Sequence, residues 1–476
     1  MSLNYTFAPR LLALAAAISA SSAAWSAEAV SADARTAELE QRLLILERKL
    51  EIQNEESEKK AKDTPVVSAG DKGFGIKSAK GDYEIKFSAL AQVDYRSFLS
   101  DDPVAGGATA KNQDGFLLRR IRPTISGNVG KLVAFRFTPE FAGSGLGEAS
   151  GNSIVDAYVD LKFSPKASVR IGKQKGPVGI ERLQSGSALP LIERGLTTEL
   201  VPNRDLGVTV FGELANKTVN YSVGVFNGTA DGRDVSVADD SGKELEGRVF
   251  VTPFKNDYSP LAGLGFGVSG TYGTKHSSQG NTANANNTLA RYRSYGQQQF
   301  FGYETGVTAE GKHTRLAPQI SFFKDSVGLV GDYVVSQQEV VRSTNQAKLK
   351  NDAYSITATY VLTGEDASYS GVTPGNNFTL DGEGWGAFEA VARIGQLSVD
   401  EDAFTGTNTT RFANAQASAS KAKNYVVGLN WYLNKNVKLS TNYSDTRFDG
   451  GANGGGTVVA DRDAEKAIFT RVQLSY

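Results

Sequence analysis

Residues 83–96 read Tyr-Glu-Ile-Lys-Phe-Ser-Ala-Leu-Ala-Gln-Val-Asp-Tyr-Arg, and apolar and polar side chains alternate along almost the whole stretch. The odd-numbered positions, from Tyr83 to Tyr95, are apolar or aromatic, whereas the even-numbered ones are polar or charged apart from Leu90. A period of two predicts a β-strand, because successive side chains of a strand point to opposite faces. The two faces therefore meet different surroundings, and a tyrosine near each end suits the two interfaces of a membrane.

The same alternation recurs from residue 71 to the C-terminus, for example at 155–163, 219–225 and 468–476. Short and long connections alternate between these segments. The tight turns lie at 130–131, 164–166, 215–217 and 434–436, and the long polar loops at 97–115, 143–153, 174–205, 228–243 and 275–299. Short turns at one end and long loops at the other predict an all-β, transmembrane, antiparallel up-and-down β-barrel of about 14 to 18 strands over residues 71–476. Alternation alone leaves a soluble periplasmic sandwich open.

The composition excludes several classes of function. The 476 residues include no Cys and only two His, so the sequence excludes thiol catalysis, zinc-thiolate sites and histidine clusters. Lys and Arg (51) nearly balance Asp and Glu (52), which gives no overall charge for binding nucleic acid. We therefore predict no catalytic residues, no bound metal and no cofactor.

The N-terminus predicts two further segments. Arg10, the apolar run 11–20 and the small residues around Ser26 are typical of a secretory signal peptide over residues 1–26. Residues 27–70 are predicted to hold a short coiled-coil helix, about 33–62, and a linker. Its apolar seam repeats at alternating four- and three-residue steps, at Leu39, Leu43, Leu46 and Leu50. A solvated, mostly disordered linker is the alternative.

Four segments of the chain resemble the phosphate-selective porin O and P family of Gram-negative outer membranes. They are 117–214, Tyr-Val-Leu-Thr-Gly-Glu at 360–365, Trp-Gly-Ala-Phe-Glu-Ala-Val-Ala-Arg at 385–393, and Gly-Leu-Asn-Trp-Tyr at 428–432. The order of signal, coiled coil, barrel and terminal aromatic is also similar to that family. The resemblance implies a barrel of about 16 strands, assembly as a homotrimer, and recognition of Tyr476 by the barrel-assembly machinery.

Strand parity selects the first candidate pore-lining residues. In 117–129 the odd positions, such as Leu117, are predicted to face lipid, which places Arg120 and Arg122 on the lumen face. Arg119 then falls on the apolar face near the outer end of the strand, where it is expected to snorkel or to lie above the hydrocarbon. On the next strand, Arg136 is predicted to face the lumen.

The long segment 174–205 and the pair Arg291 and Arg293 give the remaining candidates. A loop of this length in a compact fold is functional or disordered, and the resemblance implies that it folds inward and forms the constriction. Arg182, Ser185 and Arg194 are carried over from the family on the segments Ile-Glu-Arg at 180–182 and Leu-Ile-Glu-Arg at 191–194. Arg291 and Arg293 resemble the family's arginine ladder.

The sequence thus predicts an outer-membrane porin for passive diffusion of small hydrophilic solutes, with a bias towards anions, phosphate or other oxyanions among them. Acidic residues expected on the same face, such as Asp94 and Asp156, offset part of the positive charge. Leu90 and Gly186 stand where the resemblance implies polar residues in the strictly phosphate-selective members. The alternative is a structural protein in which the coiled coil tethers the outer membrane to the cell wall. Outer-membrane lipid and small anions are the other expected partners.

Overall fold

A computed structural model describes residues 28–71, 73–99, 113–142, 153–235, 241–276 and 289–476, and the predicted signal peptide lies outside these residues. The chain divides into two compact units after Thr64. The first contains α1 (Glu28–Asp63), a helix over the stretch predicted to be helical. Its four seam leucines, Leu39, Leu43, Leu46 and Leu50, are 58–63% exposed. None of the described helices has both the length and the apolarity that crossing a membrane demands.

The second unit is built of β-strands. In chain order they are β1 (Val66–Gly70), β2 (Gly73–Lys77), β3 (Tyr83–Phe98), β4 (Gly115–Val129), β5 (Val133–Glu140), β6 (Ser153–Ser164), β7 (Ala167–Gln174), β8 (Asp205–Leu214), β9 (Val219–Phe226), β10 (Glu244–Val251), β11 (Leu264–His276), β12 (Arg291–Arg293), β13 (Gln299–Gly302), β14 (Thr308–Lys324), β15 (Val327–Arg342), β16 (Asn345–Val361), β17 (Ala387–Ser398), β18 (Ala419–Tyr432), β19 (Val437–Asn453), β20 (Val459–Asp461) and β21 (Glu465–Ser475). The remaining elements are one short α-helix, α2 (Ile180–Leu183), and two 3₁₀ helices, Leu196–Leu200 and Glu401–Phe404.

Sixteen of the described strands close into an antiparallel barrel, which confirms the predicted fold class. Each barrel strand pairs with the next along the chain, and β21 returns to pair with β3 from Ala467 opposite Phe98 to Ser475 opposite Leu90. Closure leaves no open sheet edge, as a sheet in lipid requires. β1, β2 and β20 extend the sheet at its ends, whereas β12 and β13 form a separate two-stranded sheet.

The two faces of the barrel wall are buried in the opposite sense to those of a sheet in a soluble protein. On β3 the apolar Val93 and Tyr95 are 38% and 40% exposed, whereas the polar Gln92 and Asp94 are fully buried. A soluble protein buries its apolar face; here the apolar side chains point outwards, where lipid covers them, and the polar ones point into the lumen. The alternation seen at 83–96 therefore gives the orientation of the wall as well as its strands.

The connections follow the predicted alternation with two exceptions. The four predicted tight turns join strands at the end where the chain enters and leaves the barrel, which is the periplasmic end of such a fold. At the opposite end, however, β15 and β16 are joined by only 343–344. At the periplasmic end, the connection 362–386 is long, and Tyr369 within it turns into the lumen and donates its hydroxyl hydrogen bond to the carbonyl of Ile180.

The segment 175–204, between β7 and β8, also lies inside the barrel. Its apolar side chains Leu191, Ile192 and Leu200 are at most 2% exposed, and they pack against residues of the wall. Those apolar anchors explain why the segment is held within the barrel rather than above it. Below, residues 175–204 are called the inner loop.

Candidate pore-lining site

A β-bulge decides where the arginines of β4 point. Gln92 of β3 pairs with Arg120, but the next residue, Val93, pairs with Leu118, so Arg119 is an extra residue on β4. An extra residue reverses the parity of the strand on one side of it. Arg119 and Arg120 consequently both point inwards, with 6% and 1% of their surface exposed.

The bulge corrects two predictions. Arg119 does not snorkel at the rim, and Leu117 is not on the lipid face: Phe116 and Leu118 are exposed by 81% and 53% instead. Simple alternation carried across the bulge put both residues on the wrong side. Arg120 and Arg122 lie beyond the bulge, and they face inwards as parity predicts.

Arg119 has a structural partner in the inner loop. Its Nε and Nη2 donate to the two carboxylate oxygens of Glu193 at 2.7 and 3.0 Å. Arg96 of β3 donates to the same carboxylate at 2.5 Å, and Arg471 of β21 lies 3.7 Å from it. Burial alone would raise the pKa of Glu193. The positive charges of Arg119 and Arg96, and to a smaller extent that of Arg471, hold its pKa below the ordinary value instead. Glu193 therefore stays ionised and ties the inner loop to three strands.

A second carboxylate of the inner loop makes a similar contact with another strand of the wall, β17. Glu181 accepts a hydrogen bond from Nη2 of Arg393 on β17 at 2.5 Å and two from the backbone N–H of Gly195 at 3.1 and 3.0 Å. Arg393 also donates to the carbonyl of Glu193 at 2.9 Å. Together, these contacts fix both ends of the stretch from Glu181 to Gly195.

Wall side chains also bind the backbone of the inner loop between these two carboxylates. Lys438 donates to the carbonyl of Leu189 at 2.8 Å, and Asn430 donates to that of Pro190 at 2.7 Å. The backbone N–H of Ile192 donates to Asn442 at 2.7 Å. Hydrogen bonds of this kind satisfy a backbone that would otherwise be buried without partners.

Five of the basic side chains surround a small cavity of about 20 Å³ beside the inner loop. They are Arg119, Arg120, Arg182, Arg194 and Arg293, and the acidic side chains lining the same cavity are Glu193 and Glu199. Arg182 donates to the carbonyl of Thr198 at 2.5 Å and to Asn203 at 3.0 Å. Arg194 donates to the carbonyls of Glu181 and Gln184 at 3.3 and 2.7 Å. These hydrogen bonds go to neutral acceptors and orient the two guanidinium groups beside the cavity.

A larger cavity of about 600 Å³ lies between the inner loop and the periplasmic end; we call it the vestibule. Three predicted residues line it: Arg122, Arg136 and Ser185. Arg122 donates to Glu140 at 2.5 Å, whereas Nε of Arg136 is 3.9 Å from Asp156. Leu90 and Gly186 also line the vestibule, so the places where the resemblance implies polar groups are apolar or bare.

The vestibule has four further basic residues that were not among the candidates: Arg170, Lys175, Arg204 and Lys435. Arg170 follows parity on β7, since Val169 and Ile171 are its outward neighbours, so alternation could have identified it. Lys175 and Arg204 stand at the two ends of the inner loop, where no periodic pattern assigns a direction.

Arg291 and Arg293 lie on β12, which is not part of the barrel wall. The β12–β13 hairpin lies within the mouth of the barrel, where Tyr292 and Phe301 are fully buried and stack with ring centres 5.2 Å apart. Nε of Arg293 lies 3.5 Å from Glu199 of the inner loop, and Arg291 is half-buried at the start of the hairpin. The hairpin thus brings Arg293, but not Arg291, to the small cavity.

The described residues contain no group of three or more His, Cys, Asp or Glu side chains positioned to hold a metal ion. What the barrel brings together instead is a set of guanidinium and ammonium groups along a water-accessible interior. Such an arrangement acts on solutes through charge and width rather than by making bonds.

A closed 16-stranded transmembrane barrel with a charged lumen and an inward-folded loop defines the class of outer-membrane porins. The family profile described as "Phosphate-selective porin O and P" matches residues 92–476. The chain belongs to the phosphate-selective porin O and P family, which confirms the resemblance and the predicted location in the Gram-negative outer membrane.

Individual proteins are similar over different lengths. Porin O of Pseudomonas aeruginosa is 28% identical over 178 residues, which are 34% of this chain and 37% of Porin O. The solved outer-membrane channel DcaP of Acinetobacter baumannii covers 85% of this chain and 99% of its own, with 14% identity and a TM-score of 0.52. An anion-selective porin from Comamonas acidovorans covers 83% and 100%, with 14% identity and a TM-score of 0.50. At this identity, the two solved structures support the fold alone.

Proposed function

We propose that this protein is a passive diffusion channel of the outer membrane, without enzymatic activity, that favours small anions over cations. The observation that carries the proposal is the charge of the vestibule. The whole chain has a net charge of −1, yet six basic and only two acidic side chains line the vestibule. A cavity lined by one sign of charge between low-dielectric walls concentrates ions of the opposite sign.

The proposed pathway has two parts. In the vestibule, Arg122, Arg136 and Arg204 attract the anion from the periplasmic side. At the inner loop, Arg120, Arg182 and Arg194, with Arg293 from the hairpin, form the narrow section. Ser185 at the junction offers a hydroxyl donor. Guanidinium groups favour oxyanions because their N–H groups bind two oxygens at once, which makes phosphate a possible permeant.

Single-channel recording across a potassium chloride gradient tests the proposal. We expect the reversal potential of the unaltered protein to have the sign of chloride preference. In a variant with Arg122→Gln, Arg136→Gln and Arg204→Gln, that potential should move towards the potassium value. The variant Lys131→Gln, changed on an exposed turn, is the matched control. Cation preference in the unaltered protein would refute the anion bias.

Inorganic phosphate distinguishes a general anion pore from one with an oxyanion site. Added to one side in chloride solution, phosphate should reduce the chloride current at low concentration if the guanidinium groups bind two of its oxygens. A reduction that only follows the mole fraction of phosphate indicates electrostatic bias without a site.

We further propose that the channel is a homotrimer and that α1 contributes to its assembly. The support is the seam of Leu39, Leu43, Leu46 and Leu50, which is exposed in the single chain. Two heptads are marginal alone and become stable when several copies bury the seam.

Chemical cross-linking of the full chain should give a trimer, and deletion of residues 33–62 should make that trimer easier to dissociate. Loss of envelope integrity with unchanged trimer stability would favour the tether to the cell wall instead. Recognition of Tyr476 by the assembly machinery stays a prediction.

A further inference from the structure

A second large cavity, of about 770 Å³, lies beside the vestibule along β6 to β10. It is separate from the small cavity, and it shares only Arg170, Lys175 and Leu183 with the vestibule. The turn 164–166 lies at its periplasmic edge, and the inner loop closes it with Pro177 and Leu183. We call it the side chamber.

The side chamber has a surplus of positive charge. Its basic residues are Lys162, Arg170, Lys175 and Arg248, and its acidic residues are Asp160 and Glu213. Arg170 is bound by Asp160 at 2.7 and 2.9 Å. Arg248 forms no ion pair with any described carboxylate; its Nε donates to the neutral Gln319 at 3.0 Å. Lys175 donates to the carbonyls of Leu183 and Gln184 at 3.1 and 2.8 Å, which are neutral acceptors.

Aromatic rings hold the two guanidinium groups of the side chamber. Arg170 lies over the ring of Tyr158 at 3.8 Å and near that of Phe211 at 5.1 Å. Arg248 lies over the ring of Phe250 at 4.6 Å. A guanidinium stacked on a ring has a fixed plane. The N–H edge of Arg170 is occupied by Asp160, so Arg248 is the one that can meet an anion.

The same surfaces supply an apolar contact that a simple anion cannot use. Phe211 from the wall and Leu183 and Pro177 from the inner loop border the side chamber. Phosphate and chloride have no apolar part to bury against them. A carboxylate attached to a ring or a hydrocarbon chain has one, and burying it removes apolar surface from water.

We propose that the side chamber binds organic anions: carboxylates with an aromatic or aliphatic body, held by Arg248 at the charged end and by Phe211 and Leu183 along the body. The proposal rests on the proposed diffusion function and names a class of substrate for it. The channel is then an entry route for small organic acids as well as for inorganic anions.

Block of the chloride current by three probes tests the proposal: benzoate, acetate and inorganic phosphate, each added to the periplasmic side. In the unaltered protein, benzoate should halve the current at a concentration about tenfold lower than acetate, because only benzoate buries a ring. Equal potency of benzoate and acetate would overturn the proposal, and this arm needs no variant that might fail to fold.

Two variants locate the site. Arg248→Met keeps the volume of the side chain but removes its charge, so it should weaken block by both carboxylates. Phe211→Leu keeps every charge and should weaken block by benzoate while leaving acetate as it was. Lys131→Met is the control, since Lys131 is exposed on a turn outside the chamber. Unchanged benzoate block in both variants refutes this location.

The reversal potential measured in the same membranes separates the two proposals. If the unaltered protein prefers potassium, the diffusion proposal fails, whatever the order of the three blockers. If chloride is preferred but benzoate and acetate are equivalent, the diffusion proposal stands and the side chamber fails.

Discussion

The two halves of the barrel wall enclose one lumen, but different material lies against them. The half formed by β14 to β19 has long strands, with 17 residues each in β14, β16 and β19. Apolar side chains of the inner loop and of the β12–β13 hairpin pack against this half. In the half from β4 to β10, by contrast, β5, β7, β9 and β10 have 8 residues each, and this half borders the vestibule and the side chamber. The lumen is thus a packed interior on one side and a water-accessible passage on the other.

The inner loop uses its acidic and its basic side chains in different ways. Its carboxylates Glu181 and Glu193 point to wall arginines and are at most 4% exposed. Its cations Lys175, Arg182 and Arg194 hydrogen-bond to neutral oxygen atoms and lie beside the cavities. Glu181 and Glu193 therefore serve as anchors, while these basic side chains lie beside the cavities that an anion would enter.

The largest effect is expected from removing the central anchor with Glu193→Gln. Arg96, Arg119 and Arg471 then lose their shared carboxylate, and breaking a buried ion pair from one side costs about 3–5 kcal/mol. We expect the inner loop to leave the wall, which should raise the single-channel conductance and add large current fluctuations. Thermal unfolding should also begin at a lower temperature.

Glu401→Gln is the control for this change, because Glu401 is exposed on a 3₁₀ helix outside the inner loop. A conductance in Glu193→Gln equal to that of the control would mean that the hydrogen bonds of Lys438, Asn430 and Asn442 hold the loop without Glu193.

A smaller effect should separate the two adjacent arginines at the bulge. Arg119 binds Glu193, so Arg119→Gln should resemble Glu193→Gln. Arg120 donates to the neutral Gln92 at 2.7 Å, so Arg120→Gln should mainly reduce the preference for chloride. A unit charge about 5 Å from an ion in water contributes about 0.8 kcal/mol, roughly a fourfold change in the permeability ratio. Reversal potentials of both variants, measured beside their conductances, check the pair. The same phenotype in both would contradict the separate roles that the bulge assigns.

The sequence predicts the fold well because the membrane imposes a rule on every strand. Alternation marks each wall segment whose outer face meets lipid, and it correctly directs Arg120, Arg122 and Arg136 inwards. It fails at Arg119, because a bulge breaks the period by one residue and leaves no compositional mark. Where the register is regular, as at Arg170, which was not among the candidates, parity alone would have been sufficient.

The interior of the packed half could not be predicted in this way. On β15 and β16, inward positions such as Val334, Val340 and Leu349 are apolar and fully buried, since they cover the hairpin rather than water. At Leu349 the exposed neighbours are Lys348 and Lys350, so the rule that the apolar face meets lipid assigns the wrong direction there. The hairpin and the inner loop have no periodic pattern, and their positions depend on partners more than 100 residues away, such as Arg393 and Arg471.

The smallest effect should come from the pH dependence of Lys175. Burial lowers the pKa of Lys175 well below that of an ordinary lysine, and the nearby charges of Arg194 and Arg204 lower it further. A lowered pKa means that Lys175 loses its proton at a lower pH than exposed lysines do, so its positive charge is present in acid and absent in alkali. Chloride preference should therefore decline as pH rises, before ordinary lysines titrate.

The decline should be smaller than the effect of Arg120→Gln, because Arg194 and Arg204 keep their charge. Salt also screens the charge of Lys175 for ions more than about 10 Å away at 0.1 M. Reversal potentials from pH 6 to pH 10 measure it. In Lys175→Met the decline should be shallower, whereas Lys131→Met should follow the unaltered protein; an equally steep curve in Lys175→Met would assign the titration to another group.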